Sequence, residues 1–157
     1  MISQEKVPKL PKYDISDRAP TICGWYISHL YRSSGSRLAL ELKKMDLSPS
    51  QSMMLVGIYR NEGVNQQTLC DLISVLPSVA SRALRELEDK GCIIKKRDEE
   101  NRRNYNLYLT PSGRDLTEKS LMIQEKYWNR LLKEFTPEEV DTLNQLLARM
   151  ERQASQD

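Results

Sequence analysis

With 157 residues the chain is long enough to bury one substantial core, and length alone sets the expectation of a single domain. Hydrophobic residues make up 39% and charged residues 29%, which excludes a disordered or membrane-embedded chain. The formal net charge of +2 says little about a polyanionic partner, so the placement of charge has to carry that argument. No apolar run approaches the ~20 residues that cross a bilayer. The polar start MISQEKVPKLPK lacks the apolar heart of a secretory signal, so no membrane partner and a cytoplasmic location are expected.

Residues 1–16, with prolines at 8 and 11, read as an N-terminal arm. A first helix is predicted from about Asp17–Pro20 to Met45, its apolar positions being Ile22, Tyr26, Ile27, Leu30, Leu38 and Leu42. Gly35, between two serines, marks a place where it can bend. Ser48-Pro49-Ser50-Gln51 is a capping box with proline at the first helical position, and it opens a second helix over 49–61. Glu62-Gly63 ends that helix. Val64 reads as a brief strand, and Asn65 caps a short third helix over 66–73 carrying Leu69, Leu72 and Ile73.

Ser74–Leu76 turns the chain into a fourth helix over 77–90. Its Ala80, Ala83, Leu84 and Leu87 form a core-facing stripe, and Gly91 supplies the left-handed residue that stops it. The opposite face carries Ser78, Val79, Ser81, Arg82 and Arg85, short donors and guanidinium groups suited to phosphates and base edges. Two strands follow, Cys92–Arg97 and Asn104–Leu109, the second alternating Tyr105, Leu107 and Leu109 against polar Asn104 and Asn106. Between them lies the polar tip Asp98–Arg103. Helices three and four with this hairpin make a winged helix-turn-helix. Residues 77–110 hold eight Lys/Arg against six Asp/Glu, a small excess concentrated on the face and tip that would meet DNA.

Thr110-Pro111 opens a fifth helix to about Glu134, and the capping box Thr136-Pro137-Glu138-Glu139 opens a sixth to about Arg152, ahead of a tail over 153–157. Val140, Leu143, Leu147 and Met150 of the sixth helix are spaced three, four and three apart, a seam that packs on another helix. The expected class is mainly α. A winged lobe over 47–110 is flanked by dimerisation helices over 17–46 and 111–152, all within one domain over 17–152. Neither flank can bury its stripe on so small a lobe, which points to a homodimer.

Cys23, Cys70 and Cys92 form no C-x-x-C pair, and the single His29 adds no metal-ligand cluster, so no metal is expected. An odd number of cysteines in a cytosolic chain points to reduced thiols. Cys70 in an apolar stripe and Cys92 at a strand start read as packing residues, which leaves Cys23 as the thiol with an open role. No nucleophilic constellation and no phosphate loop is present, so neither catalysis nor a cofactor is expected.

The chain resembles the MarR-type family, the multiple-antibiotic-resistance regulators, over about residues 20–152. The matching pieces are Leu47-Ser48-Pro49-Ser50-Gln51, Ser78-x-x-Ser81-Arg82, Leu87-Glu88-Asp89-Lys90-Gly91, Arg97-Asp98 with Asn101-Arg102-Arg103, and Leu109-Thr110-x-x-Gly113-Arg114. In one place the chain departs from the pattern. The family's wing reads Asp-x-Arg where this chain has Asn101, so the tip arginine lacks a charge-assisted partner there. The resemblance implies a dimeric, ligand-responsive regulator of transcription on a pseudo-palindromic operator, most often a repressor. The two fourth helices would enter successive major grooves about 34–36 Å apart. Ser78, Val79, Ser81, Arg82 and Arg85 would meet the groove, Lys95 and Arg97, with Lys96, the phosphates, and Arg102 and Arg103 the flanking minor groove.

The resemblance further implies a pocket beside the dimer helices for an aromatic carboxylate or phenol. Trp25, Ser28, His29 and Arg32 of the first helix suit a flat anion. They read equally well as dimer core, a satisfied histidine and a surface ion pair. Two other readings stay open: oxidation of Cys23 as the signal, and a winged-helix scaffold dimer that binds no DNA. The scaffold would be favoured if Arg82, Arg85 and Arg103 were paired with acids such as Glu86 or Asp89.

Overall fold

The computed structural model describes residues 19–98 and 104–154. The arm over 1–16, the wing-tip residues Asn101, Arg102 and Arg103, and the last three residues of the tail lie outside the described residues. Six helices and two strands follow in the order α1 (Ala19–Lys43), α2 (Pro49–Arg60), α3 (Gln66–Leu72), α4 (Pro77–Asp89), β1 (Ile93–Arg97), β2 (Tyr105–Leu109), α5 (Pro111–Leu131) and α6 (Pro137–Ala154). Two compact units divide inside α1, after Arg37. No helix among the described residues is long and apolar enough to cross a membrane.

In the first unit α1 runs through Gly35 without interruption. The hydroxyls of Ser33, Ser34 and Ser36 donate back to carbonyls one turn earlier, at Leu30, Tyr31 and Arg32. Such back-bonding satisfies serines inside a helix without breaking it.

The second unit is held by one core. Met54, Leu55 and Ile58 of α2 pack with Leu69 and Cys70 of α3, Ala80, Ala83, Leu84 and Leu87 of α4, and Ile93, Leu107 and Leu109 of the hairpin. The helix starts expected from local residues are in place. Ser48 accepts from the Gln51 N–H while the Gln51 side chain accepts from the Ser48 N–H. Asn65 caps α3 by accepting from Thr68, and Thr136 and Glu139 close the second capping box. α4 starts at Leu76 without a side-chain cap, its first turn set by Pro77. α5 ends at Leu131, three residues before the expected Glu134, and α6 runs on to Ala154.

The hairpin is antiparallel, pairing Ile93 with Leu109, Lys95 with Leu107 and Arg97 with Tyr105. These pairs share one face, and Leu107 and Leu109 are buried on it, whereas Tyr105 lies farther out and is half exposed. The segment before α3 adds a short third edge. The Gly63 N–H donates to Leu107 and the Leu107 N–H to Val64, although the bridge itself falls on Asn65 rather than on Val64.

α5 docks through small and polar residues. The Ser52 and Ser120 hydroxyls meet at 2.6 Å in a buried contact between α2 and α5. The Thr117 hydroxyl, fully buried, donates to the Gly113 carbonyl. Thr110 accepts from the Gly113 N–H as the cap of α5, while its hydroxyl donates to Gly91 and its N–H to the Cys92 carbonyl. At Gly113 a Cβ would stand 1.9 Å from the Cys92 oxygen, so only glycine fits. Gly113→Ala should therefore force backbone movement and destabilise the fold by about 1–3 kcal/mol, the usual range for overpacking. A thermal melt checks this, and an unchanged midpoint would mean that the junction yields freely.

Candidate nucleic-acid interface

Helical spacing sorts α4 into two faces, because its apolar residues recur every three to four positions. Ala80, Ala83, Leu84 and Leu87 are buried, and Ser78, Val79, Ser81, Arg82 and Arg85 are all exposed. The five positions read from sequence as a DNA-facing surface thus lie together on one side of one helix. Gly91, at φ +67, ends that helix and sends the chain into the hairpin.

Several of these side chains are already engaged. Gln66, the first residue of α3, donates to the Ser81 hydroxyl at 2.7 Å and so ties the two helices of the motif together at their outer surface. The Arg82 Nε donates to Glu86 Oε1 at 3.0 Å. The other Glu86 oxygen accepts from Gln51 Nε2 at 2.8 Å. The Arg82 hydrogen bond holds the Glu86 carboxyl below its ordinary range, helped by the bond from Gln51 and opposed by partial burial. Arg82 is thus one of the arginines paired with an acid, the arrangement that would favour the scaffold reading, whereas Arg85 points outward on the same face. The arginine side chain of this pair is 85% open to solvent, so pairing through Nε leaves its outer donors within reach of a phosphate or base.

The three cations of the first wing strand, expected to meet phosphates, differ in their surroundings. Lys95 lies on the Ile93 face and pairs with Glu88 of α4 at 2.6 Å, which joins the wing to the fourth helix. Lys96 lies on the other face with its ammonium 4.8 Å from the Tyr108 ring centroid, a cation–π contact. Arg97 is exposed near the end of β1. Strand alternation carried the signal for Lys95, since it stands two residues after core-facing Ile93. At the base of the tip the Asp98 N–H donates to Asn104 and the Asn106 amide donates to the Asp98 carboxylate.

A shallow cleft of about 480 Å³ runs beside the exposed face of α4, lined by Ser48, Ser50, Ser78, Val79, Arg82, Ala83 and Glu86. Ser48, Ser50, Gln51 and Gln66 were not among the site residues read from sequence. The first three announced themselves as helix-capping residues, and nothing local tells that the start of α2 lies against α4.

On α1 the Trp25 and His29 rings stack at 5.1 Å with their planes 5° apart, and Tyr26 meets Trp25 edge-on. Ser28 and Arg32 are exposed on the same helix. Cys70 and Cys92 are buried and burial raises both thiols above their ordinary pKa, whereas Cys23 is exposed. Among the described residues no three His, Cys, Asp or Glu side chains stand close enough to hold a metal ion.

This arrangement has known counterparts. The MarR family model matches residues 47–105. Over 131 residues the chain is 33% identical to the uncharacterised HTH-type transcriptional regulator YybA of Bacillus subtilis (strain 168), covering 83% of this chain and 87% of that protein. A MarR family transcriptional regulator of Listeria monocytogenes, crystallised with a 26mer DNA, superposes with a TM-score of 0.80 at 31% identity, covering 83% and 87% of the two chains. A MarR regulator of Methanosarcina mazei Go1 gives 0.78 at 26% identity over 87% and 99%. Six helices and a two-stranded wing, shared with these structures, and the identity to YybA lead to one conclusion: the chain belongs to the MarR family of winged-helix transcriptional regulators, which are not enzymes.

Proposed function

We propose that this protein is a homodimeric repressor that binds a pseudo-palindromic operator and is released by a small aromatic carboxylate or phenol. The observation that carries the DNA reading is the exposed polar face of α4, with Ser78, Ser81, Arg82 and Arg85 on one side and core residues on the other. A short helix with such a face fits a major groove, where serine hydroxyls reach phosphates and a guanidinium meets guanine edge-on. The family relative crystallised on DNA supports the same use of the lobe. Membership of a family of transcriptional regulators weighs against the scaffold reading, and so does Arg85, exposed on the same face of α4.

Dimerisation is supported by the apolar surface that one copy leaves open. α6 has no buried residue, and its Leu146, Leu147 and Met150 are 43–46% exposed in a seam of heptad spacing. Met122 and Trp128 of α5 are exposed as well. A helix with such a stripe stabilises the chain only when a second surface covers it. Two copies then place two α4 helices on one face of the duplex, at about 34–36 Å for adjacent grooves.

For the effector, the stacked Trp25 and His29 rings offer a flat apolar surface one turn from Ser28 and Arg32, which supply a hydroxyl and a guanidinium for a carboxylate. A second input is favoured by one observation: Cys23 is the exposed thiol of the three, and so the one that an oxidant reaches.

Fluorescence anisotropy on DNA from upstream of the protein's own gene, with and without a panel of aromatic acids, tests this reading. Tight, salt-sensitive binding released by one acid is the expected result. Tight binding indifferent to acids but lost with peroxide, and retained under peroxide in Cys23→Ser, would replace the acid by an oxidant. No specific binding would remove the repressor. In the same assay Arg103→Ala, at the wing tip, should weaken binding more than tenfold at matched salt, in keeping with the loss of one minor-groove guanidinium. Light scattering should give a particle of twice the 18.2 kDa chain mass, and Leu147→Glu should return it to one chain with its helical content kept. A wild-type monomer at micromolar concentration would sink the two-fold docking.

A further inference from the structure

We propose that Glu86 is a positioning residue for sequence recognition, holding the Arg82 guanidinium side-on so that its outer edge is presented to a base. This deepens the DNA-binding reading above and rests on it.

The argument starts from Gln51. Its side chain is nearly buried, at 4% exposure, and its Oε1 is committed to the Ser48 N–H at 2.9 Å as the capping box of α2. The amide end must therefore face the other way, and there it donates to Glu86 Oε2 at 2.8 Å. With one carboxylate oxygen fixed from α2, the other is left for Arg82, whose Nε donates to it at 3.0 Å. Both oxygens of Glu86 are engaged, one by a buried side chain whose own orientation is set by a helix cap.

Side-on pairing through Nε has a consequence. A guanidinium carries five N–H donors, and only one is used here, so the Nη1–Nη2 edge stays available. That edge forms the bidentate bond to guanine O6 and N7. An ordinary exposed arginine loses much rotamer freedom when it docks, and one already oriented loses less. An exposed pair between residues four apart on a helix is usually of little account. The anchor from Gln51, 35 residues away in sequence, distinguishes this one. Glu86 also brings a negative charge towards the DNA backbone, which disfavours binding to any sequence. Orientation favours the right sequence and charge opposes all sequences, so Glu86 raises discrimination more than affinity.

The test uses the full-length protein. Wild type selects a consensus from a random duplex library, and affinities are then compared for that consensus and a scrambled duplex. Glu86→Ala should lose about tenfold on the consensus, in line with a weakened bidentate contact, while affinity for the scrambled duplex stays equal or rises. In an Arg82→Ala background the same change should cost no further discrimination. Both affinities rising together would make Glu86 a repelling charge alone. Both falling together with a lower melting temperature would make it structural, and either result overturns the proposal. A readout without DNA is the Arg82 Nε–H signal in nitrogen-edited spectra of the free protein, expected to exchange slowly and to lose that protection in Glu86→Ala. Fast exchange in wild type would overturn the positioning role even in a protein that discriminates well. A wild type that selects no consensus would instead remove the DNA-binding reading, and this proposal with it.

Discussion

The carbonyl of Cys92 is the point on which the winged lobe depends. It lies at the exit of α4 and the start of the wing, and it accepts the N–H of Thr110 at 3.0 Å and its hydroxyl at 3.2 Å. Thr110 is also the last residue before α5, so one residue closes the base of the hairpin and caps the next helix. Gly113 completes the contact by having no side chain, which lets the first turn of α5 come down onto the same oxygen. A backbone carbonyl at such a crossing needs a donor, and the Thr110 N–H supplies it, while the hydroxyl's one proton is shared between this oxygen and the nearer Gly91 carbonyl at 2.7 Å. The direction in which the wing's first strand leaves the fourth helix follows from this junction.

How far such a structure is legible in its sequence depends on the range of the interactions. The capping residues Ser48, Asn65, Thr110 and Thr136 bond backbone groups three positions away, so their meaning is local and each sits where its pattern says. The core stripe of α4 was legible for the same reason, since periodicity alone sorts Ala80, Ala83, Leu84 and Leu87 from their neighbours. Helix ends without a cap were less legible. α5 stops at Leu131 because Leu132 leaves helical geometry, and no glycine or proline there announces it.

The candidate interface divides in the same way. Its exposed face on α4 could be read from spacing, but the bonds that shape it could not. Gln66 to Ser81 and Gln51 to Glu86 join residues 15 and 35 positions apart, and they exist only because α2 and α3 pack on α4. Lys95 carries two local signals, strand alternation and a run of charges. Alternation puts it on the Ile93 side of β1, yet within the run Lys95-Lys96-Arg97 it looked like one more phosphate contact. The pairing with Glu88 makes it a tie between wing and helix. On α1 the sequence could place Trp25 and His29 four apart but not the stacking of their rings, which depends on rotamers.

Two acids of the fourth helix are tied into the lobe rather than left as bare charge beside its polar face. Glu86 and Glu88 do not form a bare negative surface. Each is bonded to a cation, Arg82 within the helix and Lys95 across to the wing, and Glu86 is also held by Gln51. Their charge is spent on orientation within the lobe. A lobe built from more cations and no acids would bind phosphate more tightly, but every sequence alike, because that attraction carries no base information. Pairing arginine and lysine with acids at the recognition surface lowers the non-specific term and fixes where the remaining donors point.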